Sequence, residues 1–219
     1  MLTYEQVTQS DAIRTYITRA DESLVALGFT EHSFSHMVHV AQTAGYIMHT
    51  LGFDERTVEL AKIAGYLHDI GNLVNRKDHS QSGAVMAWSI LNDMGCDPAE
   101  IATIVMAIGN HDEGTGVPVN PVAAALILAD KADVRRSRVR NKDISTFDIH
   151  DRVNYSVKKS RLKINENRTL VELDLTVDTQ YGSVMDYFEI FMGRMILCRK
   201  AAEKLGLLFK LIINEQQVI

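Results

Sequence analysis

The chain has 219 residues, a formal net charge of -5, 46% hydrophobic and 23% charged residues, which suits one medium globular domain, or one with a small appendage, able to bury its core without staples. The acidic balance argues against general nucleic-acid binding, which needs a basic surface, and no apolar run approaches the ~20 residues of a membrane span. Two distant cysteines, Cys96 and Cys198, exclude a disulfide framework and suit a cytoplasmic protein, in keeping with an N-terminus that lacks a signal-like segment.

Residues 10–28 read as a helix, with Ser10 as its N-cap, Ile13, Ile17, Ala20, Leu24 and Leu27 on one face, and Gly28 at its end. A second helix follows Thr30-Glu-His-Ser-Phe-Ser35 and buries Met37, Val40, Ala41, Ala44 and Met48. His36 sits on it. His32 would share its face only if the helix began early, and a surface histidine is the preferred reading there. His39 and His49 lie off that face and are expected to be non-ligands.

From about Asp54 a third helix carries Val58, Ala61, Ala64 and Leu67 on its buried stripe, and its last turn runs Leu67-His68-Asp69-Ile70-Gly71. Gly71 is expected just past the helix end, where positive φ favours glycine. His68 and Asp69 would thus be rigidly held and shielded from water. Neutral imidazole offers a metal one lone pair, and a carboxylate can bridge two cations. After a polar, basic loop, helical period resumes from Ser80 with Ala84, Ala87, Trp88 and Leu91, just behind His79. Gly83-Ala84 would permit close packing beside that histidine. Asp97-Pro-Ala-Glu100 is a strong helix start, and its helix delivers Asn110-His111-Asp112. Asn120-Pro121 opens the next, with Val122, Ala125, Leu126 and Ala129 inward and Asp130 on the same side. A carboxylate on an apolar stripe is costly unless paired or bound to a cation.

Arg135, Arg136, Arg138 and Arg140 follow, either as a solvated face or as a clamp for phosphate oxygens. Around residue 141 the composition changes. A short helix over 148–157, a hairpin of Arg161–Ile164 and Thr169–Val177 turning at Asn165–Arg168, a long helix over Ser183–Leu205 and a strand over Leu207–Ile213 form a β-β-α-β appendage, read as a dimerisation, lid or sensing element.

His36, then Leu67-His68-Asp69-Ile70-Gly71, then Asp130 resembles the signature of the HD superfamily of metal-dependent phosphohydrolases. His79 and His111, with Gly114-Thr-Gly-Val-Pro118 close behind, resemble the binuclear branch that includes the HD-GYP phosphodiesterases. The departures are Val117 in place of the tyrosine of Gly-Tyr-Pro, Asn72 in place of the usual lysine, and Asp112 where a second histidine is common; they count against a cyclic-dinucleotide substrate. The resemblance implies a mainly α fold, with an all-helical HD domain over 1–140 and a small α+β appendage over 141–219. It implies two divalent ions, of Fe, Mn, Zn or Ni. His36, His68 and Asp130 would hold one, His79 and His111 the other, with Asp69 bridging. A metal-activated water would then hydrolyse a small phosphomonoester or phosphodiester, nucleotides included. Asp112 or Lys131 is expected to aid proton transfer beside Asp69, and Arg135, Arg138 and Asn72 to bind substrate. Two other readings share the ligands: an HD-type di-iron oxygenase, and a regulatory metal-binding module. A homodimer is a further expectation.

Overall fold

The computed structural model describes residues 1–219 as helices first and sheet last. Nine α-helices run α1 Tyr4–Gln9, α2 Asp11–Ala26, α3 Phe34–Leu51, α4 Glu55–Leu67, α5 His79–Asp93, α6 Pro98–Gly109, α7 Pro121–Lys131, α8 Ile149–Ser156 and α9 Val184–Lys204. The strands are β1 Val157–Ile164, β2 Leu170–Val177, β3 Leu208–Ile213 and the short β4 Gln216–Gln217. They form one sheet in the order β1-β2-β3-β4, with β1 antiparallel to β2 and β2 parallel to β3 across the α9 connection. The mainly α fold with a small C-terminal α+β element is therefore as expected. The added pieces are α1 and β4.

Most helix starts follow local chemistry. Asp54, Asp97, Asn120 and Ser183 each accept a backbone N–H of the first turn of the helix they cap, satisfying donors that have no partner inside the helix. The expected stripes of α2, α3 and α4 are buried, with Leu27 an exception at 62% exposed. α7 is buried along its whole length, from Val122 to Lys131, as a helix apolar on all sides should be. It packs against α3, α4, α6 and α9. On α5 the stripe differs from expectation: Trp88 is 55% exposed, because Gly83, Ala84, Ala87 and Leu91 already fill the face turned inward.

Gly71 also differs. It does not adopt positive φ but lies in a short 3-10 turn, Ile70–Leu73. Glycine is required there by close approach: a Cβ would sit 2.0 Å from the His79 carbonyl oxygen and 2.4 Å from the Gly83 nitrogen. A Cβ on Gly83 would in turn come within 3.2 Å of the Gly71 nitrogen. Two facing glycines thus let α5 press onto the turn that carries Asp69.

One continuous apolar core joins the early helices to the C-terminal element. Ile63, Leu67 and Leu126 belong to the same cluster as Phe191, Met195, Leu175 and Leu211. No helix is long and apolar enough to cross a membrane.

Candidate metal centre

Five imidazoles and two carboxylates meet at one end of α7. His36 arrives near the start of α3, His68 caps α4, Asp69 begins the turn that follows, and His79 opens α5. His111 lies just after α6, and Asp130 is in the last turn of α7. All six are buried. So is His32, which reaches the cluster from the segment before α3. Because α3 starts only at Phe34, His32 does not share a helix face with His36. Its ring is nevertheless turned inward, against the surface reading.

The ring nitrogens divide their work in the same way throughout. Nδ1–H of His36 donates to Asp133 Oδ2 at 2.7 Å, and that of His68 to the Gly65 carbonyl at 2.8 Å. His79 donates to the Arg76 carbonyl at 3.1 Å, His111 to that of Ile108 at 2.6 Å, and His32 to that of Thr30 at 2.7 Å. These bonds put the proton on Nδ1 and leave the Nε2 lone pair directed inward. His36 Nε2 then faces His68 Nε2 at 3.3 Å, and His79 Nε2 faces His111 Nε2 at 3.2 Å. Paired lone pairs in a dry pocket repel unless a cation or proton lies between them.

Asp69 divides its oxygens between two groups. Oδ2 lies 3.3 Å from His68 Nε2 and 3.7 Å from His36 Nε2. Oδ1 lies 3.2 Å from His79 Nε2 and 3.8 Å from His111 Nε2. Asp130 Oδ1 completes the first group, 3.3 Å from His36 and 3.6 Å from His68. Donors about 2.0–2.2 Å from one ion stand roughly 3–3.5 Å apart, so His36–His68–Asp130 and His68–Asp69–His111 are groups that could hold a metal ion.

The electrostatics ask for positive charge at the same place. Burial pushes the Asp69 and Asp130 carboxyls up, yet the surrounding cationic groups outweigh it and hold both well below the usual carboxylate range. For Asp69 the main such group is His68, and for Asp130 it is the Lys131 ammonium. Burial pushes His68 down, but Asp69 and Asp130 overcome it and raise the imidazolium to about 10. A proton so tightly demanded by two carboxylates occupies the place a cation would take.

The surrounding shell holds residues that the sequence did not single out. Asp133, fully sequestered, orients His36 and accepts from Arg135. Burial raises its carboxyl, but His36 and Arg138 bring it far below its ordinary value. Glu113 pairs with Lys131 at 3.5 Å and with Arg194 of α9. Arg76 stands 3.8 Å from Asp69 Oδ1. The Asp130–Asp133 spacing across one helix end was a visible signal for Asp133; nothing local announces Arg76 or Arg194.

Several expected site residues are placed otherwise. α7 ends at Lys131 and the chain turns through Arg136–Arg138, so neither Arg135 nor Arg138 stands on the helix that carries Asp130. Arg138 is buried and donates Nε and Nη2 to the Glu31 carbonyl and Nη1 to that of Asp133. Arg135 is paired with Asp133. Asn72 is buried, donating to the Asp69 carbonyl and accepting from Arg76 Nη1. Lys131 Nζ sits 2.7 Å from Asp130 Oδ2. Burial lowers its ammonium, but Asp130 and Glu113 prevail and keep it above its ordinary value, which suits charge balance better than proton donation. Asp112 makes no side-chain bond to the cluster; its carbonyl accepts from Thr115 and Gly116. His39, half exposed, lies 3.7 Å from Asp133.

A polar cavity of about 360 Å³ abuts the cluster at His32, whose Nε2 lies 3.8 Å from Asp69 Oδ2. Its walls come from the segment 27–30, from Arg76 and Arg138, and from α8 and α9.

The HD domain model matches residues 33–153. Ribonuclease Y of Fervidobacterium nodosum is 32% identical over 122 residues, covering 54% of this chain and 21% of that protein. The uncharacterized protein MJ1020 of Methanocaldococcus jannaschii is 22% identical over 203 residues, covering 82% and 77%. A crystal structure of a predicted HD superfamily hydrolase from an uncultured Thermotogales bacterium superposes with a TM-score of 0.44 at 26% identity, covering 62% of this chain and 75% of that one. The chain spans about a fifth of the length of the ribonuclease Y relative. With the family model matching more than half of its residues, and the paired His-Asp motif at the heart of the site, the chain belongs to the HD domain family.

Proposed function

We propose that this protein is a metal-dependent phosphohydrolase with a two-ion centre. The observation that carries the reading is Asp69: its two oxygens address two separate histidine groups, each with Nε2 lone pairs turned toward it. His36, His68 and Asp130 would hold one ion and His79 and His111 the second, with Asp69 between them. Divalent ions in such a site acidify a water and neutralise charge on a phosphoryl group. The chain's own contribution is orientation. Four backbone carbonyls and Asp133 lock the five rings, and burial excludes bulk water. Lys131 holds Asp130 ionised, and Arg76 offers cationic charge beside Asp69. The ribonuclease Y relatives, which by name act on RNA, support phosphoester chemistry.

The test joins metal analysis of the purified protein to a phosphoester panel run with and without oxygen. Oxygen-independent hydrolysis with about two ions per chain, both lost in Asp69→Ala, is the expected result. Activity that requires dioxygen, or hydrolysis that survives in metal-free protein, would overturn the proposal.

A further inference from the structure

We infer that the pocket beside the metal centre takes a small polar phosphomonoester, and that Arg194 of α9 grips its phosphate together with Arg76. The inference rests on the phosphohydrolase reading and names the substrate class for that site. The two guanidinium groups come from distant parts of the chain. Arg76 comes from the loop before α5, and Arg194 from a helix beyond the matched HD residues. Both line the cavity that His32 links to Asp69.

Each has donors to spare. Arg76 makes a single hydrogen bond, from Nη1 to Asn72 at 3.3 Å, and its side chain is 27% exposed. Arg194 is fixed by two contacts, its Nε on Glu113 and its guanidinium over the Phe191 ring at 4.3 Å. Its Nη1 and Nη2 make no hydrogen bond within the protein, and the side chain, 26% exposed, lines the cavity. A planar fork held in this way matches phosphate oxygens at little further entropic cost. Arg138, also on the wall, has its donors committed to backbone carbonyls and serves as scaffold.

The remaining wall argues for a small polar molecule over a polymer. About 360 Å³ lies at the low end of the ~300–1,000 Å³ typical of small-molecule sites. Asp148 and Asp151 of the α8 region stand on the lining. They would repel the next phosphates of a continuing strand, but can accept from hydroxyl or amino groups of a sugar or nucleoside. A long anionic strand would also need a row of cationic contacts, and this cavity supplies two guanidinium groups with donors to spare.

The experiment uses the full-length, metal-loaded protein. Hydrolysis of nucleoside monophosphates and sugar phosphates is compared with that of an oligoribonucleotide, for the natural chain and for Arg194→Gln, Arg76→Gln and the control Lys200→Gln. Calorimetric binding of inorganic phosphate is measured on all four. The expected result is a preference for a small monoester, with KM and the phosphate dissociation constant raised about tenfold or more in each arginine variant at unchanged metal content. Lys200→Gln, at an exposed position of the same helix that does not line the cavity, should shift both by less than about twofold. A preference for the oligoribonucleotide, unchanged constants in both arginine variants, or an equal loss in Lys200→Gln would each overturn the inference. If no phosphoester is turned over, the hydrolase reading fails, while arginine-dependent phosphate binding would still uphold the subsite.

Discussion

Asp133 shows how a residue outside the ligand set can govern it. Its carboxylate accepts the His36 Nδ1 proton at 2.7 Å and receives Arg135 as well. This fixes both the tautomer and the angle of the His36 ring, and raises the basicity of Nε2. Asp133→Asn preserves volume, but its amide can donate to Nδ1 as readily as accept. Metal affinity is then expected to fall roughly 10–100-fold at the first ion, while the His79–His111 side retains its own. Competitive chelator titration, resolving two binding steps, would show one weakened step. Equal weakening of both, or of neither, would contradict the independent anchoring described above. Glu113 permits a pH test at the same scale. Burial pushes its carboxyl up, but Lys131 and Arg194 outweigh burial and bring it down to about 2 from an ordinary 4.5. A depressed acid stabilises the fold above its unfolded pKa and loses that contribution as pH falls toward the folded one. The natural chain should therefore lose stability relative to Glu113→Gln between about pH 4.5 and 2, by on the order of 1–2 kcal/mol given partial exposure. Parallel urea titrations at pH 5 and 3 measure the difference. Parallel stability curves for the two proteins would remove the ion-pair account.

At the scale of elements, the contact between the Ile70–Leu73 turn and α5 decides whether the two histidine groups can meet. A methyl group on Gly71 would fall 2.0 Å from the His79 carbonyl and 2.6 Å from Ser82 Oγ, so α5 must move away, and His79 with it. Gly71→Ala should cost about 3 kcal/mol or more, as overpacking at a rigid backbone contact does. If the centre holds two ions as proposed, it should also lower the metal content toward one. Thermal unfolding and metal stoichiometry test both effects. A variant with natural stability and two ions would show that the contact can relax harmlessly. This contact also marks the limit of what sequence could reveal. The helices themselves were legible, because caps such as Asp54 and Asp97 and the stripes of α3 and α4 are local signals. The six motif residues were legible through the spacing of His36, His68-Asp69, His79, His111 and Asp130. Gly71 was legible as a special position but not for its reason, since close approach to His79 is a tertiary fact. His32 was undervalued because a ring turned inward from a loop leaves no periodic trace. The surroundings of Arg138 were not legible, because nothing local marked the end of α7 at Lys131.

Over the whole molecule, the change of composition near residue 141 suggested a catalytic unit and an appendage, yet the core passes through that point without a break. α9 lies along α7 and buries Tyr187, Phe191, Met195, Leu197 and Cys198. It also sends Arg194 to Glu113 beside the metal centre. Burial of each large apolar side chain stabilises by about 1.5–3 kcal/mol, so removing α9 and the sheet forfeits on the order of 10 kcal/mol of burial from the α9 side chains alone. That loss rivals the roughly 5–15 kcal/mol by which a domain is stable at all. A chain ending at residue 140 is therefore expected to lose cooperative unfolding and to expose the α7 face. The measurement is thermal denaturation by near-ultraviolet circular dichroism, with dye binding as a report on exposed apolar surface. A sharp transition and two bound ions in the shortened chain would mean that the first 140 residues fold as a unit. In that event the C-terminal element would be a separable cover on a self-sufficient HD core, and the Glu113–Arg194 pair would be a contact between two domains.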